Sequence, residues 1–326
     1  MTPKVIHKTD EPSLTFGHPE SSVTELSIVG LHLRVYGLKE IEGSDRPLAV
    51  LVGPSFCLLL LRSMINFNVW TEHRAKSKRQ IAAHGRTNSQ KNMITFSQGI
   101  LGEAGTKSEG DRKRDLLVVT LDQRNHGARI TDRKANLAYD ENPRHLIDMA
   151  AKVYGGAQDI QLIIDFLAAY LFPMGEKKVE EWIVTGISLG GHVAWRLLQE
   201  EPRIRIGIPI IGLPFESFPK YMGPRAESLN IPFTPPTYPP SLLPLLEGDV
   251  DHSNYKGKKI LTIHGGHDKL VPLDKGQKDI EEILRVVNAS EGGKAEIYVD
   301  DETGHAVSRE MVRRTAEWVW EFGLRR

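Results

Sequence analysis

The chain has 326 residues, and 42 Lys and Arg balance 42 Asp and Glu, so the formal net charge is zero. That neutrality argues against nucleic acid or an anionic lipid surface as partner, while 40% hydrophobic and 26% charged residues is the composition of a folded globular chain. One cysteine (Cys57), no apolar leader in residues 1–14 and an apolar uncharged run at 47–61 that is too short to cross a bilayer lead to the expectation of a cytoplasmic protein without a membrane span.

Taken in order, residues 22–29 and 32–39 alternate and are rich in β-branched side chains, which predicts an opening antiparallel hairpin turned at Gly30. Residues 47–52 read as a buried strand, and further strands are expected at 115–122, 181–187, 204–211, 259–265 and 295–299. Most are near-continuous apolar runs, the pattern of strands covered on both faces. Helical periodicity falls between them. Residues 159–172 place Ile160, Ile163, Ile164 and Leu167 on one face, and 189–200 and 274–288 also suit helices. Residues 309–322 close the chain with Met311, Thr315, Trp318 and Phe322 on one stripe. This alternation predicts a single α/β domain over 1–326, with a mostly parallel central sheet flanked by helices on both faces. Residues 215–257 carry eight prolines in 43 residues, and are expected to form a long irregular lid over a substrate pocket. Its Phe215, Phe218, Tyr221, Phe233 and Tyr238 suit either an apolar acyl or alcohol pocket or the packing of the lid onto the body.

Gly186-Ile187-Ser188-Leu189-Gly190 lies directly after an apolar strand and directly before a helix. A serine on such a sharp turn is held in a strained backbone, and the flanking glycines let strand and helix approach closely. Its hydroxyl then sits at a helix N-terminus, where backbone N–H groups favour developing negative charge. A serine nucleophile needs a base, and the base needs an orienting acid. Asp268 follows the strand at 259–265, and His305 follows the strand at 295–299, each in a loop at a strand's C-terminal end. His264 and His267 are rival bases, and Asp300, Asp301 and Glu302 are substitute acids. His84, His126, His192 and His267 lie in separate loops without zinc-ligand spacing, so neither a metal nor an organic cofactor is expected.

With the order Ser188, Asp268, His305, the sequence resembles the α/β-hydrolase superfamily over nearly its whole length. Two further motifs carry the resemblance. His84-Gly85-Arg86-Thr87 resembles the loop after the third strand, which implies that the Arg86 N–H joins that of Leu189 in an oxyanion hole. Asp122-Gln123-Arg124-Asn125-His126-Gly127 resembles the loop after the fourth strand, where Asp122 and Arg124 are read as braces between loops. In the family the third strand runs straight into its His-Gly loop, but here residues 53–81 stand between them. Removing that stretch would join residues 48–52 to residues 82–85 in one strand and loop. It begins with an apolar cluster at 56–61 and ends with a basic one at 73–79. It reads as a translated, unspliced intron, with a genuine membrane-touching or partner-binding insertion as the alternative.

The expected chemistry is hydrolysis of a small-molecule acyl substrate, a carboxylic ester first, through an acyl-enzyme on Ser188. His305 is the base, Asp268 the orienting acid, and Leu189 and Arg86 the oxyanion donors. A thioester or small peptide would use the same groups, and a non-catalytic binding protein on a hydrolase scaffold is the reading from another class. The oligomeric state is left open by the sequence.

Overall fold

The computed structural model describes residues 13–54, 89–248 and 251–326. Its centre is set by strands with no polar face. β3 (Leu48–Pro54) and β4 (Asp115–Leu121) are buried at every position, and β5 (Val179–Ile187) is buried from Glu181 onward. Such strands are stable only between two helical layers. The outer strands differ. β1 (Val23–Ile28), at one edge, alternates between exposed and covered positions, and β8 (Lys294–Asp300), at the other, is half exposed.

The eight strands of this sheet run in the order β1-β2-β4-β3-β5-β6-β7-β8, completed by β2 (Leu31–Tyr36), β6 (Ile204–Ile210) and β7 (Lys259–Gly265). β2 is antiparallel to β1 and β4, and all other pairings are parallel. Parallel pairing places the C-terminal ends of β3 to β8 on one edge, where ligands of open α/β sheets bind. Of the helices, α1 (Ile94–Gly105) packs against α7 (Arg309–Val319), and α2 (His145–Leu171) packs against α3 (Leu189–Glu200). α4 (Phe218–Glu227) and the short α5 (Leu243–Leu246) follow β6, and α6 (Gln277–Asn288) lies between β7 and β8.

Several sequence expectations are corrected in detail. The helix expected at 159–172 is the second half of α2, which begins at His145. Gly155-Gly156 masks its first half in the sequence, and the contacts explain the pair. A Cβ on Gly155 would stand 2.3 Å from Arg124 Cδ, and one on Gly156 would stand 2.6 Å from Gln123 Oε1. The glycines therefore permit close packing instead of breaking the helix. Residues 215–257 are not irregular, since they contain α4, α5 and three short 3₁₀ turns. α7 stops at Val319 and continues as a π turn over Trp320–Leu324. Of the anomalous stretch 53–81, Gly53 and Pro54 belong to β3, opposite Thr120 and Leu121 of β4. Its remainder lies outside the described residues.

The opening hairpin turns through Val29-Gly30, both at positive φ (42° and 83°), between the paired residues Ile28 and Leu31. Two positive φ values define the mirror-image turn that asparagine and glycine favour, and a β-branched residue is strained there. Val29 is exposed, so its side chain contributes no packing that offsets the strain. Val29→Asn is expected to stabilise the fold by about 0.5–1 kcal/mol, measured as a rise in the urea midpoint with unchanged slope.

Candidate active site

β5 delivers Ser188 to the sheet's C-terminal edge, and the chain reverses there into α3. Ser188 has φ 57° and ψ −113°, in the left-handed half of backbone space that non-glycine residues rarely occupy. Two glycines make the reversal sterically feasible. A Cβ on Gly186 would stand 2.3 Å from the Gly190 carbonyl oxygen, and one on Gly191 would stand 2.6 Å from the Ile210 oxygen. Hydrogen bonds then hold the bend. Ser188 N donates to Ile210 O (2.9 Å), and His192 N donates to Ser188 O (3.1 Å). Leu189 is the first residue of α3, so its N–H is among those a helix leaves without an intrahelical partner.

β7 and β8 end beside one another, and their following loops carry Asp268 and His305. The loops are tied together by backbone bonds from Gly266 N to Asp300 O (2.8 Å) and from His267 N to Thr303 O (3.0 Å). Gly265 makes this approach possible, because a Cβ there would lie 2.3 Å from Gly304 O. One carboxylate oxygen of the buried Asp268 accepts the N–H groups of Leu270 (2.8 Å) and Val271 (2.9 Å). The other lies 2.7 Å from His305 Nδ1, and His305 Nε2 lies 3.0 Å from Ser188 Oγ. An ionised carboxylate only accepts, so it places the imidazole proton on Nδ1 and leaves Nε2 to accept from the serine hydroxyl.

The structure thus brings Ser188, Asp268 and His305 together in one hydrogen-bonded line. The rivals stand elsewhere. His264 is buried with Nε2 at 2.8 Å from Thr262 Oγ1, and His267 is exposed. Asp300 accepts from Ser308 Oγ (2.6 Å) and Glu302 N (3.2 Å), while Asp301 and Glu302 are exposed. Arg86, with the whole His84-Gly85-Arg86-Thr87 motif, lies outside the described residues. Among the described residues no group of three or more His, Cys, Asp or Glu side chains could hold a metal ion.

The loop after β4 is a brace, as its sequence suggests. Asp122 accepts from Gln90 N (2.6 Å) and Ala128 N (2.9 Å). Arg124 (3.1 Å) and Arg129 (2.6 Å) both pair with Asp159 of α2. The aromatic side chains of residues 215–257 mostly pack inward. Phe215, Phe218 and Tyr221 are buried, and the Phe218 and Tyr221 rings lie 4.8 and 5.9 Å from that of His192. Phe233 and Tyr238 stack on each other at 4.8 Å. The importance of His192 was not legible in the sequence, where Gly191-His192 reads as a continuation of the serine turn.

No family model matches the sequence, and no curated protein matches it. Solved structures do match the fold. The Thermus thermophilus protein TT1662 is 18% identical, with 93% of this chain and 98% of that one covered at a TM-score of 0.60. An esterase of Pyrococcus furiosus is also 18% identical, with 98% of each chain covered at a TM-score of 0.50. Acylaminoacyl peptidase of Pyrococcus horikoshii is 15% identical with a TM-score of 0.57, and the match covers 98% of this chain and 44% of the peptidase. The chain therefore spans less than half the length of that peptidase. The strand order, the turn at Ser188 and these likenesses agree: the protein has the α/β-hydrolase fold.

Three imidazoles around this edge are held neutral. Burial, the largest cause for each, lowers His126, His192 and His264 from 6.5 to about 4. In the unfolded chain they regain ordinary values, so between pH 6.5 and 4 the unfolded state binds more protons than the folded state. Stability is therefore expected to fall as pH drops through this window, by up to ~1.4 kcal/mol per pH unit for each imidazole. Urea unfolding at pH 6.5 and pH 5 checks this, and equal stability at the two values would contradict it.

Proposed function

We propose that the protein is a serine hydrolase that cleaves a carboxylic ester through a covalent acyl-enzyme. The observation that carries this reading is the continuous contact from Asp268 Oδ2 through the His305 ring to Ser188 Oγ, at 2.7 and 3.0 Å. Ser188 Oγ attacks the substrate carbonyl as His305 Nε2 takes its proton, forming a tetrahedral oxyanion. The oxyanion collapses as the leaving group departs with the proton from His305. Water, deprotonated by the same imidazole, then attacks the acyl-serine and frees the acid. Asp268 fixes the tautomer and stabilises the imidazolium without itself being protonated. The N–H of Leu189 supplies one oxyanion donor, and the second is assigned to Arg86 from its motif.

An ester is preferred to a thioester or peptide because the Pyrococcus furiosus esterase matches this chain end to end, whereas the acylaminoacyl peptidase is more than twice as long as the region matched. We read residues 215–257, with α4 and α5, as the cover of the substrate site, and residues 1–326 as one domain. A serine already hydrogen-bonded to an oriented imidazole favours turnover over binding alone.

Fluorophosphonate is expected to label Ser188, with the adduct located by mass spectrometry and absent from Ser188→Ala. A folded protein that takes no label would refute the reading. Asp268→Asn is expected to lower kcat on a p-nitrophenyl ester by roughly 10³–10⁴-fold, because Nε2 would then carry the proton. Full activity in that variant would remove Asp268 from the mechanism.

A further inference from the structure

β6 leaves the sheet beside Ser188 through Ile211, Gly212 and Leu213, and the backbone of this connection is strained. Ile211 has φ 51°, a left-handed value at which a β-branched residue is an outlier. Such strain persists only where the surroundings leave no alternative. Each of the three residues is held from outside. Ile211 N donates to Ile263 O of β7 (2.7 Å), and Trp195 Nε1 donates to Gly212 O (3.1 Å). Leu213 is tied to His192, whose Nδ1 lies 3.0 Å from Leu213 N and 2.9 Å from Leu213 O. Nδ1 bonds Leu213 in either tautomer, accepting from the N–H or donating to the carbonyl.

His192 and Trp195 both belong to α3, the helix that Ser188 caps. His192 stands one helical turn past the serine, about 6 Å along the axis, and its N–H donates to Ser188 O (3.1 Å). α3 also meets the connection through its own backbone, since a Cβ on Gly212 would lie 2.4 Å from Gly191 C. From Leu213 the chain passes through the turn Phe215–Ser217 into α4. There the buried Phe218 and Tyr221 rings come back to the His192 ring, with centroids at 4.8 and 5.9 Å. One residue thus bonds the turn of the nucleophile and the exit of β6, and packs on the first helix of the segment read above as the cover. His192 is buried, so it acts through the groups it holds and not by touching substrate.

We propose that His192 is a positioning residue that holds α4 in register with Ser188 and so sets which acyl chain lengths the site accepts. This rests on the reading of residues 215–257 as the cover of a serine hydrolase site. The bond to Leu213 carries the register. Without it a buried N–H loses its partner, and the connection must move to satisfy that group. The strain at Ile211 supplies the route, because relaxing its left-handed φ swings the residues that follow. Phe218 and Tyr221 move with them, since their helix is reached directly from Leu213. The line from Ser188 to Asp268 runs through other bonds, so the loss falls on chain-length selectivity, and on KM more than on kcat.

The test compares full-length variants on p-nitrophenyl esters from acetate to decanoate. Asparagine puts an amide atom where Nδ1 stands and keeps the bond without the ring, whereas phenylalanine keeps a ring without the bond. His192→Phe is expected to flatten the chain-length profile, lowering the kcat/KM ratio of best to poorest ester about tenfold, mainly through KM. His192→Asn is expected to stay within about twofold of the wild-type ratio. Trp195→Phe, which removes the bond to Gly212 O while keeping a ring, is expected to flatten the profile in part, and it decides the matter if His192→Phe does not fold. A profile already flat in the wild type, a wild-type profile in His192→Phe or in Trp195→Phe, or equal flattening by Asn and Phe at position 192 overturns the proposal. Fluorophosphonate separates this inference from the one beneath it. A wild type that takes no label refutes the hydrolase reading, whereas a labelled wild type with unaltered variant profiles refutes only the role of His192.

Discussion

Ser188 can hold its backbone at φ 57° and ψ −113° only because Gly186 and Gly190 touch where side chains would collide. A left-handed non-glycine residue costs on the order of 1–3 kcal/mol, and it persists only where its surroundings leave no alternative. Here β5 fixes one side of the bend and α3 the other, while the Ile210 carbonyl accepts the Ser188 N–H. The strain turns the hydroxyl out of the sheet plane and toward His305. The same bend sets the start of α3, so the position of the Leu189 N–H relative to the hydroxyl follows from it as well.

The remaining proposed groups depend on burial. Asp268 is inside the protein, yet one of its oxygens is satisfied by two backbone N–H groups and the other faces His305. A buried carboxylate so fully partnered is not free to rotate. The neighbouring imidazoles meet the opposite demand. His192 and His264 are buried and remain neutral, so neither places a competing cation under the serine. His192 instead acts as a packing surface for Phe218 and Tyr221 and so sets where α4 lies.

What could be read from the sequence follows from physical locality. Apolar runs reveal buried strands because every position of such a strand is covered, and chain order then assigns Asp268 and His305 to loops that prove adjacent. Glycines and prolines misled where their meaning depended on a distant neighbour. Gly155-Gly156 lies just ahead of the helix expected at 159–172, and it is the close contact of α2 with Arg124, Gln123 and Val193. Pro219, near the start of α4, removes an N–H that the helix would leave unbonded anyway, and Pro224 is accommodated inside that short helix. For Arg86, only the motif speaks.

The backbone bonds that join the loop of Asp268 to the loop of His305 have a mechanical corollary. Acid and base share one rigid platform at the margin of the sheet, clamped through Gly266, His267 and the narrow gap that Gly265 leaves. The serine belongs to the central strand and its helix, a different body. The Asp268–His305 separation is therefore built into the platform, whereas the 3.0 Å gap between imidazole and hydroxyl is the one joint in the line. A displacement anywhere between β5 and β7 would register at that gap first, which makes it the gauge of how well the two halves of the molecule are aligned.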